Sequence, residues 1–133
     1  MQRTNPSPKK RISIPSAKAK GRQLQNWTCI QISRLLGLEW GKDEQIAPRE
    51  MGQTGTDVRL VADAKELFPW SVECKWQEQW SIHEFIKQAK ENRKKGTDWL
   101  LVLRRSRQEP VVVLEAEVFF GLLRLVRGAK KGR

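Results

Sequence analysis

Apolar positions change their spacing several times along the chain, and each change marks an element. Residues 1–19 hold three prolines, several serines and lysines and few apolar groups, the composition of a disordered arm. From about Lys20 to Leu36 the apolar residues Leu24, Trp27, Ile30, Leu35 and Leu36 recur at helical spacing, and Gly37 is a natural stop. Glu39 to Gly55 is polar, with Ile46-Ala47 as a candidate short strand, and Met51 to Thr56 reads as a flexible loop. Val58 to Ala62 and Trp70 to Trp76 have strand character, and a turn through Asp63–Pro69 would make them an antiparallel hairpin. Ile82, Phe85, Ile86 and Ala89 mark a helix with a basic outer face of Lys87, Lys90, Arg93, Lys94 and Lys95, ended by Gly96. The unbroken apolar run Trp99–Leu103 predicts a central buried strand, and Val111 to Leu114, beyond the charged turn Arg104–Pro110, predicts its partner. A last helix from about Glu117 to Val126 carries Phe119, Leu122, Leu123 and Val126. The order αβββαββα predicts an α/β fold, an α+β sandwich in which helices flank a central mixed sheet of five strands. The expected organisation is a basic arm over 1–19, a folded domain over 20–127 and a basic C-terminal tail over 128–133.

A chain of 133 residues fits one domain and can bury a core without disulfide or metal staples. Cys29 and Cys74 have no neighbouring Cys or His partner, which argues against a zinc site, and two cysteines do not make a secreted disulfide framework. The single histidine, His83, reads as a partly exposed helix residue and leaves no Ser-His-Asp chemistry to build. The basic N-terminus is not followed by an apolar run, so it is not a secretory signal, and its prolines oppose a presequence helix. No stretch approaches the roughly 20 apolar residues of a membrane span. The expected location is the cytoplasm of a bacterial or phage-infected cell.

Charge changes this picture more than composition does. The net charge is +11, and residues 1–22 and 124–133 hold twelve of the bases and none of the acids, so the middle of the chain is nearly neutral. Cationic ends on an ordinary body suit a polyanion, because each phosphate contact releases condensed counterions.

Within this layout three residues carry candidate chemistry. Asp57 follows a glycine-containing loop at the start of a strand, and Glu73 and Lys75 lie two apart in the next strand, Val72-Glu73-Cys74-Lys75-Trp76. Strand side chains alternate, so Glu73 and Lys75 share one face while Val72, Cys74 and Trp76 turn to apolar packing. Converging carboxylates of Asp57 and Glu73 would call for a hard divalent cation, Mg²⁺ with Mn²⁺ as substitute. The backbone carbonyl of Cys74 is a further candidate ligand, and Lys75 could stabilise developing phosphoryl charge or orient a water. The plainer reading is an ordinary Glu–Lys pair on a surface strand.

The segments Gly-Thr-Asp57-Val and Val-Glu73-Cys-Lys75 resemble the signature of the PD-(D/E)XK nuclease superfamily, and the element order from about Lys20 to Leu123 resembles its restriction-endonuclease-like fold. Within it the chain is most similar to the small archaeal-type Holliday junction resolvases that also occur in phages, which open with a Lys-Gly pair and a helix, as Lys20-Gly21 does here. The resemblance implies metal binding by Asp57 and Glu73, with Lys75 assisting the nucleophile as the third catalytic residue. It also implies a homodimer that sets two active sites on two strands of a junction. The chain departs from the pattern in two places: Gln25 stands nearest the position of the usual first-helix glutamate, and Thr56 replaces the proline before the aspartate. An amide oxygen at Gln25 could still ligate the ion, but without charge.

Candidate DNA contacts are Lys9, Lys10 and Arg11 in the arm, with Lys20, Arg22, Arg49, Gln77, Lys87, Lys94, Arg104 and Arg105 on the body. Trp27, Trp70, Trp76 and Trp99 fall in apolar patterns and are expected in the core, whereas Trp40 and Trp80 could stack on unpaired bases. The last helix has more apolar residues than one face needs, which suggests a two-fold dimer interface or, alternatively, burial on both sides within one subunit. With the resemblance, which implies four-way junctions as the substrate, the expected function is a junction-resolving endonuclease without a small-molecule cofactor. A nuclease for other branched, nicked or duplex DNA shares the same chemistry, and a non-enzymatic nucleic-acid-binding protein is the alternative of another class.

Overall fold

In the computed structural model, which describes residues 13–131, the first helix begins earlier than apolar spacing suggests. α1 spans Ile14–Leu36. Ser13 caps it by accepting the Ser16 amide at 3.3 Å, and Pro15 lies in the first turn, where its missing N–H has no partner to lose. Residues 14–19 are therefore helical rather than part of an arm, while Lys9, Lys10 and Arg11 lie outside the described residues. Gly37 ends the helix at φ 69°, a left-handed conformation that costs a glycine little, and its N–H returns to the Ser33 carbonyl at 2.8 Å. The buried stripe is Leu24, Thr28, Cys29 and Ile32. Trp27 and Leu35, expected inside, are 38% and 70% exposed. Helical spacing fits either stripe, and the small side chains of Thr28 and Cys29 make the close approach to the sheet.

β1 (Ile46–Pro48) pairs antiparallel with β2 (Val58–Leu60) as a two-stranded sheet. The short helix α2 (Ala62–Leu67) follows where a turn was expected. β3 (Trp70–Trp76) then pairs in parallel with β4 (Asp98–Arg104), and β5 (Val111–Val113) returns antiparallel to β4. The connection between β3 and β4 is the helix α3 (Ile82–Asn92), the crossover that a parallel pair requires. α4 spans Ala116–Lys131.

The single five-stranded sheet and the β2–β3 hairpin are thus corrected to two sheets, of two and three strands. The reason lies at Asp57. Its amide donates to the Val72 carbonyl at 2.8 Å, but the next rung on the β3 edge is taken by its side chain, with Oδ2 accepting the Cys74 amide at 2.7 Å. A carboxylate stands where a neighbouring strand's carbonyl would continue the ladder, and pairing stops there.

The sheets lie between α1 and α3. On the α1 side Leu24, Cys29 and Ile32 meet Ile46, Val58, Val72, Cys74 and Val102. On the other side Phe85 and Ala89 of α3 meet Trp99, Leu101 and Leu103. β4 is covered on both faces, as its unbroken apolar run foretold. Trp70 and Trp76 are half-buried against the α1 core, and Trp99 is fully inside, its indole N–H donating to Glu115 at 3.0 Å. Among the described residues α4 makes no extensive packing contact with another element. Phe119, Phe120, Leu122, Leu123, Leu125 and Val126 are all exposed, so burial within one subunit is not its arrangement.

Candidate active site

Asp57 and Glu73 are buried at the open edge of β3, at 6% and 2% exposure. Such burial is costly for two carboxylates unless partners compensate. Asp57 is held by the Cys74 amide at Oδ2 and by the Arg49 guanidinium, 3.2 Å from Oδ1. Glu73 Oε1 accepts from Asn92 Nδ2, at the end of α3, at 2.9 Å. The alternation read from sequence holds: Val72 and Cys74 join the α1 core, while Glu73 faces α3 and the Lys75 ammonium sits 5.7 Å from the Phe85 ring centre. Burial pushes the Glu73 carboxyl up to about 7, and the adjacent Asp57 charge adds to that rise, while the Asn92 amide and the Lys75 cation oppose it.

Arg49 is the hub on the other side of Asp57. Its backbone amide donates to the Asp57 carbonyl at 2.9 Å and its Nη1 to the Gly55 carbonyl at 2.9 Å. Gly55 has φ 105°, a conformation suited to glycine, and this turns that carbonyl toward the guanidinium. Arg22 Nη1 in turn donates to the Arg49 carbonyl at 2.8 Å. Gln25 lies one turn beyond Arg22, and its Oε1 is buried with no hydrogen-bond partner among the described residues. Gln25, Arg22 and Arg49 line one cavity of about 620 Å³. A second, of about 640 Å³, is bordered by Arg49, Thr56, Lys42, Arg59 and Lys94. Neither is lined by Asp57 or Glu73, so the open space lies beside the carboxylates rather than on them.

The donor set suits a hard cation. Among the described residues no cluster of three or more His, Cys, Asp or Glu forms a cage, so the carboxylate pair needs neutral oxygens to complete a shell. Gln25 Oε1, buried and without a hydrogen-bond partner among the described residues, is a candidate for one of them. The Cys74 carbonyl is another, since a strand residue's N–H and C=O leave the same edge and its N–H meets Asp57.

The outer candidates divide. Lys20 and Arg104 flank Trp76, at 5.7 and 4.3 Å from its ring centre, and Ser106 Oγ accepts from both Lys20 Nζ and Trp76 Nε1, each at 3.2 Å. Arg105 and Gln77 are exposed next to this group. Lys87 and Lys94 are exposed on and just after α3. Trp40 and Trp80 are half-buried against the two cores, and Trp80 Nε1 donates to the Gln77 carbonyl at 2.9 Å. His83 is exposed. Cys29 and Cys74 are free and buried, and burial pushes the Cys29 thiol up to about 12 and the Cys74 thiol up as well. The contact that sequence reasoning missed is Asn92 with Glu73, which no local spacing signals because 19 residues separate them.

Comparison with known families adds one finding. Residues 18–125 match the family described as "Phage putative PDDEXK endonuclease". No curated protein and no solved structure matches the chain.

Proposed function

Starting from the chain's membership of the phage PDDEXK endonuclease family, we propose that it is a Mg²⁺-dependent DNA endonuclease that resolves four-way junctions by paired phosphodiester hydrolysis. The observation that carries the reading is the buried pair Asp57 and Glu73 at one strand edge, with Lys75 on the Glu73 face. Asp57, Glu73, the Cys74 carbonyl and Gln25 Oε1 would hold the ion, with Mn²⁺ able to substitute. The chemistry such an ion would supply there is polarisation of a phosphoryl oxygen and activation of water. Lys75 keeps an ammonium beside Glu73, where it stabilises charge developing on the phosphoryl group. Asn92 fixes the Glu73 carboxylate, and the Phe85 ring fixes the lysine. Lys20 and Arg104, ordered on Trp76, grip the backbone of the bound strand next to β3. The basic N-terminal segment adds sequence-independent affinity.

The exposed apolar residues of α4 support a homodimer. A two-fold pair carries two sites and can nick two strands of a junction symmetrically. The place of action is the cytoplasm of a phage-infected cell. The test is cleavage of a labelled four-way junction beside a linear duplex of the same arms, in Mg²⁺, with Asp57→Asn as control. Paired symmetric nicks near the branch, absent in the variant, are the expected result. Equal cutting of both substrates would remove the junction claim and keep the nuclease. Binding without metal-dependent cutting of either would make the chain a DNA-binding protein.

A further inference from the structure

Among the described residues of a chain with 26 lysines and arginines and 15 acids, the only ion pair is Arg49 with Asp57. It sets a full positive charge against the Asp57 carboxylate. Oδ2 is committed to the Cys74 amide, a bond that joins the two sheets, and Oδ1 to the guanidinium. A divalent cation brought to this carboxylate would lie beside the guanidinium at Oδ1, where like-charge repulsion favours release of Arg49. Arg49 is suited to leave. Its main chain is anchored independently, through the Asp57 and Arg22 contacts of its amide and carbonyl. Its side chain is one-third exposed and borders both large cavities, so the guanidinium has room to swing without moving the strand.

We propose that Arg49 is a resident counter-ion that neutralises Asp57 until a divalent cation displaces it, so that metal and guanidinium compete for one carboxylate oxygen. The proposal rests on the nuclease reading of the same site and assigns Arg49 a role other than simple phosphate contact. Two cations cannot share Oδ1 closely without strong repulsion. Arg49 therefore lowers the affinity of the DNA-free protein for metal, and the cavity open to its displaced guanidinium is lined by Lys42, Arg59 and Lys94 together with Asp43 and Glu50.

The experiment is Mn²⁺ binding to the DNA-free full-length protein, by calorimetry and electron paramagnetic resonance, for wild type, Arg49→Gln and Asp57→Asn. The glutamine variant should bind Mn²⁺ at least about tenfold more tightly than wild type, because the competing charge is gone. In parallel, the side-chain nitrogen resonances of Arg49 in the wild-type protein should shift on Mg²⁺ addition and stay still in Asp57→Asn. This second readout needs no change at Arg49, so it decides the matter if the glutamine variant does not fold. Asp57-dependent Mn²⁺ binding that is equal or weaker in Arg49→Gln, or Arg49 resonances unmoved at saturating Mg²⁺, would overturn the counter-ion role and leave the nuclease reading intact. Absence of Asp57-dependent metal binding in wild type and Arg49→Gln alike would overturn both.

Discussion

Replacing Glu73 with Gln should stabilise the metal-free protein at alkaline pH and do little at acid pH. Glu73 is 2% exposed, and its carboxyl feels the Asp57 charge. Its carboxyl is raised from an ordinary 4.5 to about 7, first by burial and then by the neighbouring charge. A raised acid binds its proton more tightly in the folded state. The associated stability is therefore present below the unfolded value and lost as pH climbs through the folded one. With these two values, linkage gives a loss of about 2–3 kcal/mol between about pH 5 and pH 8. Glutamine has no proton to lose; its oxygen can accept from Asn92, and its amide can donate to Asp57. Urea denaturation in the presence of a chelator measures the difference. With a slope of about 1–2 kcal/mol per molar for a small domain, the variant's midpoint should exceed that of wild type by roughly 1–3 M near pH 8 and by far less near pH 5. Saturating Mg²⁺ should narrow the gap from the wild-type side. Parallel pH profiles for the two proteins would refute the account, since they would mean that Glu73 carries no folding-linked proton in this range.

Other perturbations test the remaining parts. Lys75→Met should reduce cleavage about a hundredfold or more while DNA affinity stays near wild type in filter binding, because the ammonium acts on charge that develops only during reaction. Removing residues 1–12 stops short of the Ser13 cap and keeps the whole of α1. The loss of Arg3, Lys9, Lys10 and Arg11 should flatten the salt dependence of DNA binding by up to about 0.9 in log–log slope per lost phosphate contact; an unaltered slope would show that this segment makes none. Leu123→Glu, at an exposed position on α4, should convert a dimer to a monomer in sedimentation, raising the dissociation constant on the order of a hundredfold by placing a charge in an apolar contact.

Much of this molecule is written locally. β3 is legible to the residue because it alternates, and Glu73 and Lys75 fall on one face as alternation demands. The β4 run Trp99–Leu103 announces a strand covered on both sides. What escapes the sequence is pairing. Nothing in Val58–Leu60 or Trp70–Trp76 says that the first joins Ile46–Pro48 and the second Asp98–Arg104, since these choices are made by α2, by the α3 crossover and by the Asp57 carboxylate. The start of α1 was hidden for a different reason. Pro15 and the lysines around it look like an arm by composition, while Ser13 and Pro15 are also what the first turn of a helix accepts. At the site, Asp57, Glu73 and Lys75 are adjacent in recognisable segments. The partners that make the arrangement work, Arg49 and Asn92, are separated from them and have residue types that serve equally well on any polar surface.

One bond ties this chemistry to the integrity of the chain. The Asp57 Oδ2 contact to the Cys74 amide belongs, with the Asp57 N–H bond to the Val72 carbonyl, to the seam between the two sheets, and it is also the clamp that aims the carboxylate. A molecule whose β2 has come away from β3, through damage, heat or incomplete synthesis, loses the aim of its acid in the same event. For a protein that would cut DNA, this makes disarmament the first consequence of fraying, and the exchange rate of the Cys74 amide proton a direct gauge of how often a population is harmless.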